Sequence, residues 1–576
     1  MSARRLAGAL LVLLCAAVLA GCATVPQQSD VQVLRQGEQE ARAGLTGPIE
    51  DGDPLGLVRG FVYRSGAPDD RHAQARRYLT ASASDWDDGA SLTVLSERFD
   101  TIVSPENATA GPGRMVVRVR GTRLGTVTPG GAFEASPQRV EIDVGVVREG
   151  ERWRIDRPPP GVLVRLSDFV VHYRQMQAWF VDPTRGTLLP DTHYVRSGRP
   201  DELALDAVDV LRRGPSAGLA GAALTMFPAT ARIRSTTTDP AAGTATVDLT
   251  GVSGLSTADR DTLAAQVAQT LGGVGIPRVE LRADGEALLP GRPTVAAADY
   301  DARVAGTARP PAFPYVVDGG RVRQLTGNGA SAPVAGQAGN GSFDVTAAAA
   351  SAVGNRIAVV SREATGTQRL LTGPLGGELT ATPVSGAEVT ALSWSGAGDE
   401  IWAVADGRLR RVLVPADAPP VEAPLDLGPL APLGRVGDLA LAREGGRIAV
   451  VVDGALLVGP IVPVEGRAGE VAVGPLRRLR PGELDDVVSV DWRSADRLAV
   501  ASDSDRPMAD VGVDGLQLGQ LPSANLTAPL RQVAAAPGRP LYVTDRTGLW
   551  SYSGGELDAW QQAGGGSTAA SPFYPG

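Results

Sequence analysis

The chain has 576 residues, a formal net charge of −9, 43% hydrophobic side chains, two cysteines and three histidines. An acidic chain with dispersed arginines argues against nucleic acid and against electrostatic docking on anionic lipid, and its length calls for two to four domains. Every basic side chain is Arg, which excludes a Schiff-base lysine, a Ser-Lys dyad and a P-loop lysine, and His72, His172 and His193 lack metal-ligand spacing, so neither a zinc site nor a His-based triad is expected.

Arg4 and Arg5 precede an apolar run from Leu6 to Leu19, and Leu19-Ala20-Gly21-Cys22 follows. Charged start, apolar core and small residues predict a secretory signal over 1–21, too short to span a bilayer. The tetrad resembles the lipobox of bacterial lipoproteins. That resemblance implies that Cys22 becomes the mature N-terminus, carries S-diacylglycerol and N-palmitoyl groups, and holds the protein on the outer face of the cell membrane. The other reading is an ordinary cleaved signal with a chance Cys. Cys15 leaves with the signal, so no disulfide is expected.

Residues 22–52, polar and rich in Gln, Glu and Gly, read as a flexible tether. From Asp53 a helical hairpin is expected: Leu57–Tyr63, a turn at Gly66-Ala67-Pro68-Asp69, then Ala73–Leu79. After Val94 the period becomes two, at Met115–Arg120, Val140–Val144 and Trp153–Ile155, until Pro158-Pro159-Pro160 stops the sheet. Helices followed by a curved antiparallel sheet, over 53–165, resemble the α+β NTF2-like fold, which serves as a pocket or as an interaction module.

The next stretch, 166–295, alternates strands and helices. Gln177–Val181 is a strand, and Leu203–Leu211 is a helix that ends at Arg212-Arg213-Gly214-Pro215. Thr244–Leu249 is a strand, and Ser256–Leu271 is a helix started by Ser256 with Asp259, with Leu263, Val267 and Leu271 on one face. Val279–Arg282 returns as a strand before Asp284-Gly285. The order of Leu211–Ser216, Phe227-Pro228, Ala245–Gly251, Leu263–Leu271 and Val279–Gly285 resembles the α/β GerMN domain of bacterial germination and sporulation proteins. That domain is thought to mediate binding and brings no catalytic residues. Gly214, Pro215, Asp248 and Gln266 are its matching polar or special-backbone positions. Their bland reading is a turn, a strand end and helix packing.

From about 310 one motif recurs six times: Pro314–Val317, Ile357–Val360, Ile401–Val404, Ile448–Val451, Leu498–Ala501 and Leu541–Thr544, at offsets of 43, 44, 47, 50 and 43 residues. Partner strands precede most copies, as at Val389–Trp394, Val436–Leu441 and Val487–Trp492. An all-strand period in the forties marks β-propeller blades, about six here over 310–562, with five or seven left open. The first copy lacks a preceding strand, so strands from opposite ends of the domain are expected to share a blade. Residues 563–576 read as a disordered tail.

No catalytic constellation appears, and no enzyme activity, cofactor or metal is expected. Asp485-Asp486 and Asp503 with Asp505 are the dense acidic pairs, and Arg506-Pro507 stands where a calcium loop would turn on Gly. Trp394, Trp402 and Trp492 sit in strands and read as core. No binding residue is assigned. The ensemble of lipobox, NTF2-like region, GerMN-like domain and propeller resembles the actinobacterial lipoprotein LpqB family over essentially the whole chain. The resemblance implies an accessory lipoprotein of the MtrA–MtrB two-component system, contacting the extracytoplasmic sensor domain of the histidine kinase and affecting cell-wall homeostasis and division. Two alternatives stay open: a lipoprotein that binds cell-wall glycan or peptidoglycan, and a hydrolase using Asp485 and Asp486.

Overall fold

The structure is a computed structural model that describes residues 53–109, 111–326, 329–554, 559–563 and 570–576. The signal over 1–21, Cys22 and the tether over 22–52 lie outside the described residues.

Helix α1 (Pro54–Ser65) starts where Asp53 accepts the N–H groups of Leu55 and Gly56, both at 3.0 Å, with Pro54 in the first turn. It lays Leu57, Val58, Phe61 and Val62 on a sheet of β1 (Leu92–Val103), β2 (Arg114–Val127), β3 (Phe133–Glu149), β4 (Arg152–Arg157) and β5 (Val162–Arg165), in the order β4-β3-β2-β1-β5. Register shifts along β1, β2 and β3 bend these long strands. The second helix expected at Ala73–Leu79 instead spans Asp69–Arg76 (α2), and its Asp70, Arg71 and His72 take φ of 47 to 56°. This left-handed turn lets the buried His72 ring reach Ser65 O at 2.9 Å.

The middle of the chain begins with α3 (Leu166–His172) and a hairpin of β6 (Tyr173–Val181) and β7 (Leu188–Arg196). Helix α4 (Pro200–Arg213), β8 (Arg232–Asp239), β9 (Thr244–Thr250), α5 (Thr257–Gly273), β10 (Arg278–Ala283), β11 (Glu286–Ala287) and β12 (Thr294–Ala296) follow. Parallel pairing of β9 with β10 requires a crossover, which α5 supplies. Ser256 caps α5 by accepting the Asp259 N–H at 3.1 Å. The one-face stripe expected for this helix understates its burial: every residue from Leu263 to Leu271 is buried, because the β6 side covers what the sheet does not. The turn Ala297–Arg303 also packs on α5 and Val304 bridges Leu188, so this part runs to 304 rather than 295.

The described residues from 315 onward form six sheets. The first strands of successive sheets, Asp344–Ala350, Val389–Trp394, Val436–Leu441, Val487–Ser494, Gln532–Ala534 and Ser571–Phe573, touch one another around a closed inner ring, as in a β-propeller. The repeated apolar motif is the second strand of each sheet, buried on both faces between neighbouring sheets. Asp406-Gly407 and Asp453-Gly454, all at positive φ, make the two-residue turns that the right-handed strand twist favours.

The tail expected over 563–576 is corrected at its end. Ser571–Phe573 pairs with Tyr315–Val317, and Phe573 stacks on Tyr315 at 5.7 Å between ring centres. The end of the chain thus supplies the inner strand that the first copy of the motif lacks. Phe573→Ala should lower stability in urea unfolding by about 3 kcal/mol, the usual cost of truncating a buried Phe; a change below about 0.5 kcal/mol would return this segment to a tail.

Candidate functional site

The residues singled out from the sequence fall into structural places. Asp485 pairs with Arg478 at 2.7 Å in a surface loop, and Asp486, Asp503 and Asp505 are exposed. Trp394 and Trp492 are buried, and their indole N–H groups donate to Ala349 O and Ala440 O, each at 3.0 Å, on the inner strand of the preceding sheet. Trp402 donates to Glu400 at 3.2 Å. Gly214 ends α4 at φ 94°, with Pro215 just beyond. Asp248 accepts the Gly285 N–H at 3.0 Å in the turn after β10. Gln266, wholly buried, donates to Trp179 O at 2.9 Å and accepts the Met226 N–H at 2.7 Å, while Thr270 accepts the Trp179 N–H at 3.0 Å. These polar groups on α5 satisfy backbone that has no ladder partner.

The junction of all three parts is β7, and the sequence reading passed over it. Leu188 to Val195 are all buried although five of them, Pro190 to Tyr194, are polar or Pro. His193 places Nδ1 at 2.7 Å from Gly130 O, in the loop between β2 and β3, and Nε2 at 3.0 Å from Asp191. The ring thus bridges a backbone carbonyl of the first part and a carboxylate of its own strand. Asp191 also accepts the Ser216 N–H at 2.6 Å and hydroxyl at 2.9 Å. Burial alone would raise the Asp191 carboxyl; His193, the Ser216 N–H and the Arg447 charge hold it below the usual carboxylate range. Tyr194 donates to Asp514 at 2.7 Å, and Arg447 donates to Pro190 O at 3.1 Å while pairing with Glu444 at 2.8 Å. Ser216, Asp191 and His193 do not form a nucleophile relay, because the carboxylate rather than the imidazole stands in the middle and the imidazole is occupied on both sides. The trio binds one part to another.

Beside this junction, the tip of the β6–β7 hairpin and the loops on one face of the propeller enclose a cavity of about 960 Å³. Its wall combines apolar Ile461, Val464 and Val471 with a set of charges. Arg411 holds Glu400 through Nε at 2.9 Å and Nη2 at 2.6 Å, Arg467 pairs with Glu470 at 2.9 Å, and Arg185 pairs with Asp399 at 3.1 Å.

The inner ring carries a second feature absent from the sequence reading. Asp438 accepts the Val490 N–H of the next sheet at 2.9 Å, and Asp491 accepts the Ala535 N–H of the sheet after that at 2.7 Å; Ser393 and Ser489 accept Leu441 N–H at 3.0 Å and Val533 N–H at 3.2 Å in the same way. Side chains thus latch inner strands whose edges no ladder pairs. An acid interrupting an apolar alternation is the signal that marks the two aspartates. Burial pushes both carboxyls up to about 6, against the pull of their N–H donors. Raised acids favour the protonated fold, so their contribution is complete below the unfolded value of about 4 and is lost as pH rises through 6. The depressed carboxyls of Asp143, Asp209 and Asp545 act only below that window, and His72, whose pKa is lowered mainly by burial, acts oppositely within it. Relative to Asp491→Asn, the wild type should therefore gain on the order of 1 kcal/mol between pH 7 and pH 5, read as the difference in urea midpoints. A constant difference across that range would contradict the latch electrostatics.

With this geometry in hand, comparison with known proteins is specific. Residues 47–170 match the family model for the N-terminal domain of lipoprotein LpqB, and residues 320–575 match the model for the lipoprotein LpqB β-propeller domain. Lipoprotein LpqB of Mycobacterium ulcerans is 32% identical, with 97% of this chain and 98% of that protein covered. The proteins of the same name from Mycobacterium tuberculosis and Mycolicibacterium smegmatis are also 32% identical, covering 94% and 92% of this chain and the same shares of theirs. The chain belongs to the lipoprotein LpqB family.

Proposed function

We propose that this protein is a lipid-anchored, extracytoplasmic accessory factor that binds the sensor domain of a two-component histidine kinase of the MtrA–MtrB type and so affects cell-wall homeostasis and division, without catalysing a reaction. Family similarity that runs through all three parts carries the reading. Leu19-Ala20-Gly21-Cys22 supports the anchor, with acyl chains on Cys22 in place of a membrane span. In this reading the helix-backed curved sheet is NTF2-like, β9–α5–β10 is GerMN-like, and the six sheets are six blades. The buried junction at β7 suits a partner protein, because it presents three surfaces in fixed relation. A tether to the membrane that also holds the kinase raises the effective concentration of one for the other.

The sensor domain should co-purify with the full chain and bind at micromolar concentration. Cys22→Ser should leave the fold intact, release the protein from the membrane and weaken signalling. Capture of cell-wall material without the sensor domain would favour the glycan-binding alternative. Retention of both membrane location and signalling in Cys22→Ser would overturn the proposal.

A further inference from the structure

Aspartate and glutamate outnumber arginine in the propeller, yet one of its pockets, of about 760 Å³, is lined by three arginines and a single carboxylate. Arg493, Arg497 and Asp510 come from the sheet that begins at Val487, and Arg539 and Pro540 from the turn before Leu541 in the next. Asp510 is buried and shared: it accepts Arg497 Nε at 2.5 Å and also Arg493 Nη1. Arg497 is fixed further by Gln517 Oε1 at 2.7 Å. Arg539 directs Nε and Nη2 at one oxygen, Pro310 O, at 3.0 and 2.5 Å, and has no carboxylate within 4.0 Å among the described residues. Asp496, in the same loop as Ser494, is held instead by Gln175 Nε2 at 2.7 Å and the Ser494 hydroxyl at 2.6 Å.

Three guanidiniums against one carboxylate leave two positive charges unmatched at the wall of the pocket. Like charges held together repel, and a concave wall concentrates their field. Arg493 Nε and Nη2 and Arg539 Nη1 have no hydrogen-bond partner among the described residues, and none of the three is sealed inside the protein. Unused donors therefore remain accessible while Asp510 and the Pro310 carbonyl hold the two side chains in place, an ordering that a ligand need not supply. The forked N–H groups of arginine match phosphate oxygens, and two unmatched charges match a dianion. We propose that this pocket binds a small dianion of the phosphate-monoester class, whose oxygens take the free N–H groups of Arg493 and Arg539. The site rests on neither the kinase reading nor the cavity under the β6–β7 hairpin.

Isothermal titration of the full chain in phosphatidylcholine nanodiscs, against empty nanodiscs, with glycerol 3-phosphate, inorganic phosphate, acetate and glycerol decides it. Glycerol 3-phosphate should bind one per chain, at least about tenfold tighter than acetate or glycerol, the factor that one charge-assisted contact supplies. Arg493→Gln, at a half-exposed side chain, should weaken it by about tenfold, and Arg539→Gln should do the same should the first variant fail to fold. Arg478→Gln, which removes the same charge from a loop elsewhere on the propeller, should leave binding unchanged. Inorganic phosphate binding as tightly as the ester would assign the site to the phosphate group itself, and weaker binding to the ester; either supports the proposal. No heat beyond empty nanodiscs, acetate or glycerol binding as tightly as the ester, binding unchanged in either folded pocket variant, or an equal loss in Arg478→Gln would each overturn it.

Discussion

One strand, β7, is buried from Leu188 to Val195 while carrying Asp191, Thr192, His193 and Tyr194, and the arrangement of the described chain follows from satisfying them. A buried polar group without a partner costs a few kcal/mol, so each of these side chains dictates what lies next to it. His193 demands the Gly130 carbonyl from the first part, Asp191 demands Ser216 from the second, and Tyr194 demands Asp514 from the propeller. Gln175 of β6 extends the same seam by donating to Asp496 at 2.7 Å. A junction made of apolar contacts alone could slide; directional bonds among buried groups fix its register.

The propeller solves a related problem by a different route. Its inner strands have one free edge each, and Trp394, Trp492, Ser393, Ser489, Asp438 and Asp491 use that edge to bond the neighbouring sheet. Closure through Ser571–Phe573 completes the ring with strands from both ends of the domain. The face that meets β7 is therefore held by a closed ring, and the cavity beneath the β6–β7 hairpin inherits that rigidity.

What the sequence disclosed follows the physics of burial. The second strand of every sheet is apolar at successive positions because both faces are covered, so the repeat at Ile357, Ile401, Ile448 and Leu498 stands out. Helix α5 and its Ser256 cap are legible from local rules alone. Strand β7 escaped notice because Pro190, Asp191 and His193 break the apolar alternation that signals a strand, and their burial is decided by partners about 60 or more residues away in the case of Gly130 and Asp514. The closing strand is only three residues long and follows a Gly-rich stretch, which hides it. Asp485, Asp486, Asp503 and Asp505 attracted attention by density, yet charge density marks solvated loops, whereas the isolated Asp438 and Asp491 sit where desolvation gives charge its leverage.

The central claim is that the hydrogen bonds of β7 make the three parts one cooperative body. Differential scanning calorimetry of the full chain, wild type against Asp191→Ala with Tyr194→Phe, tests it most directly. The account predicts a single transition for the wild type that divides into separate transitions in the double variant. Separate transitions already present in the wild type, or one transition at an unchanged temperature in the double variant, would contradict it.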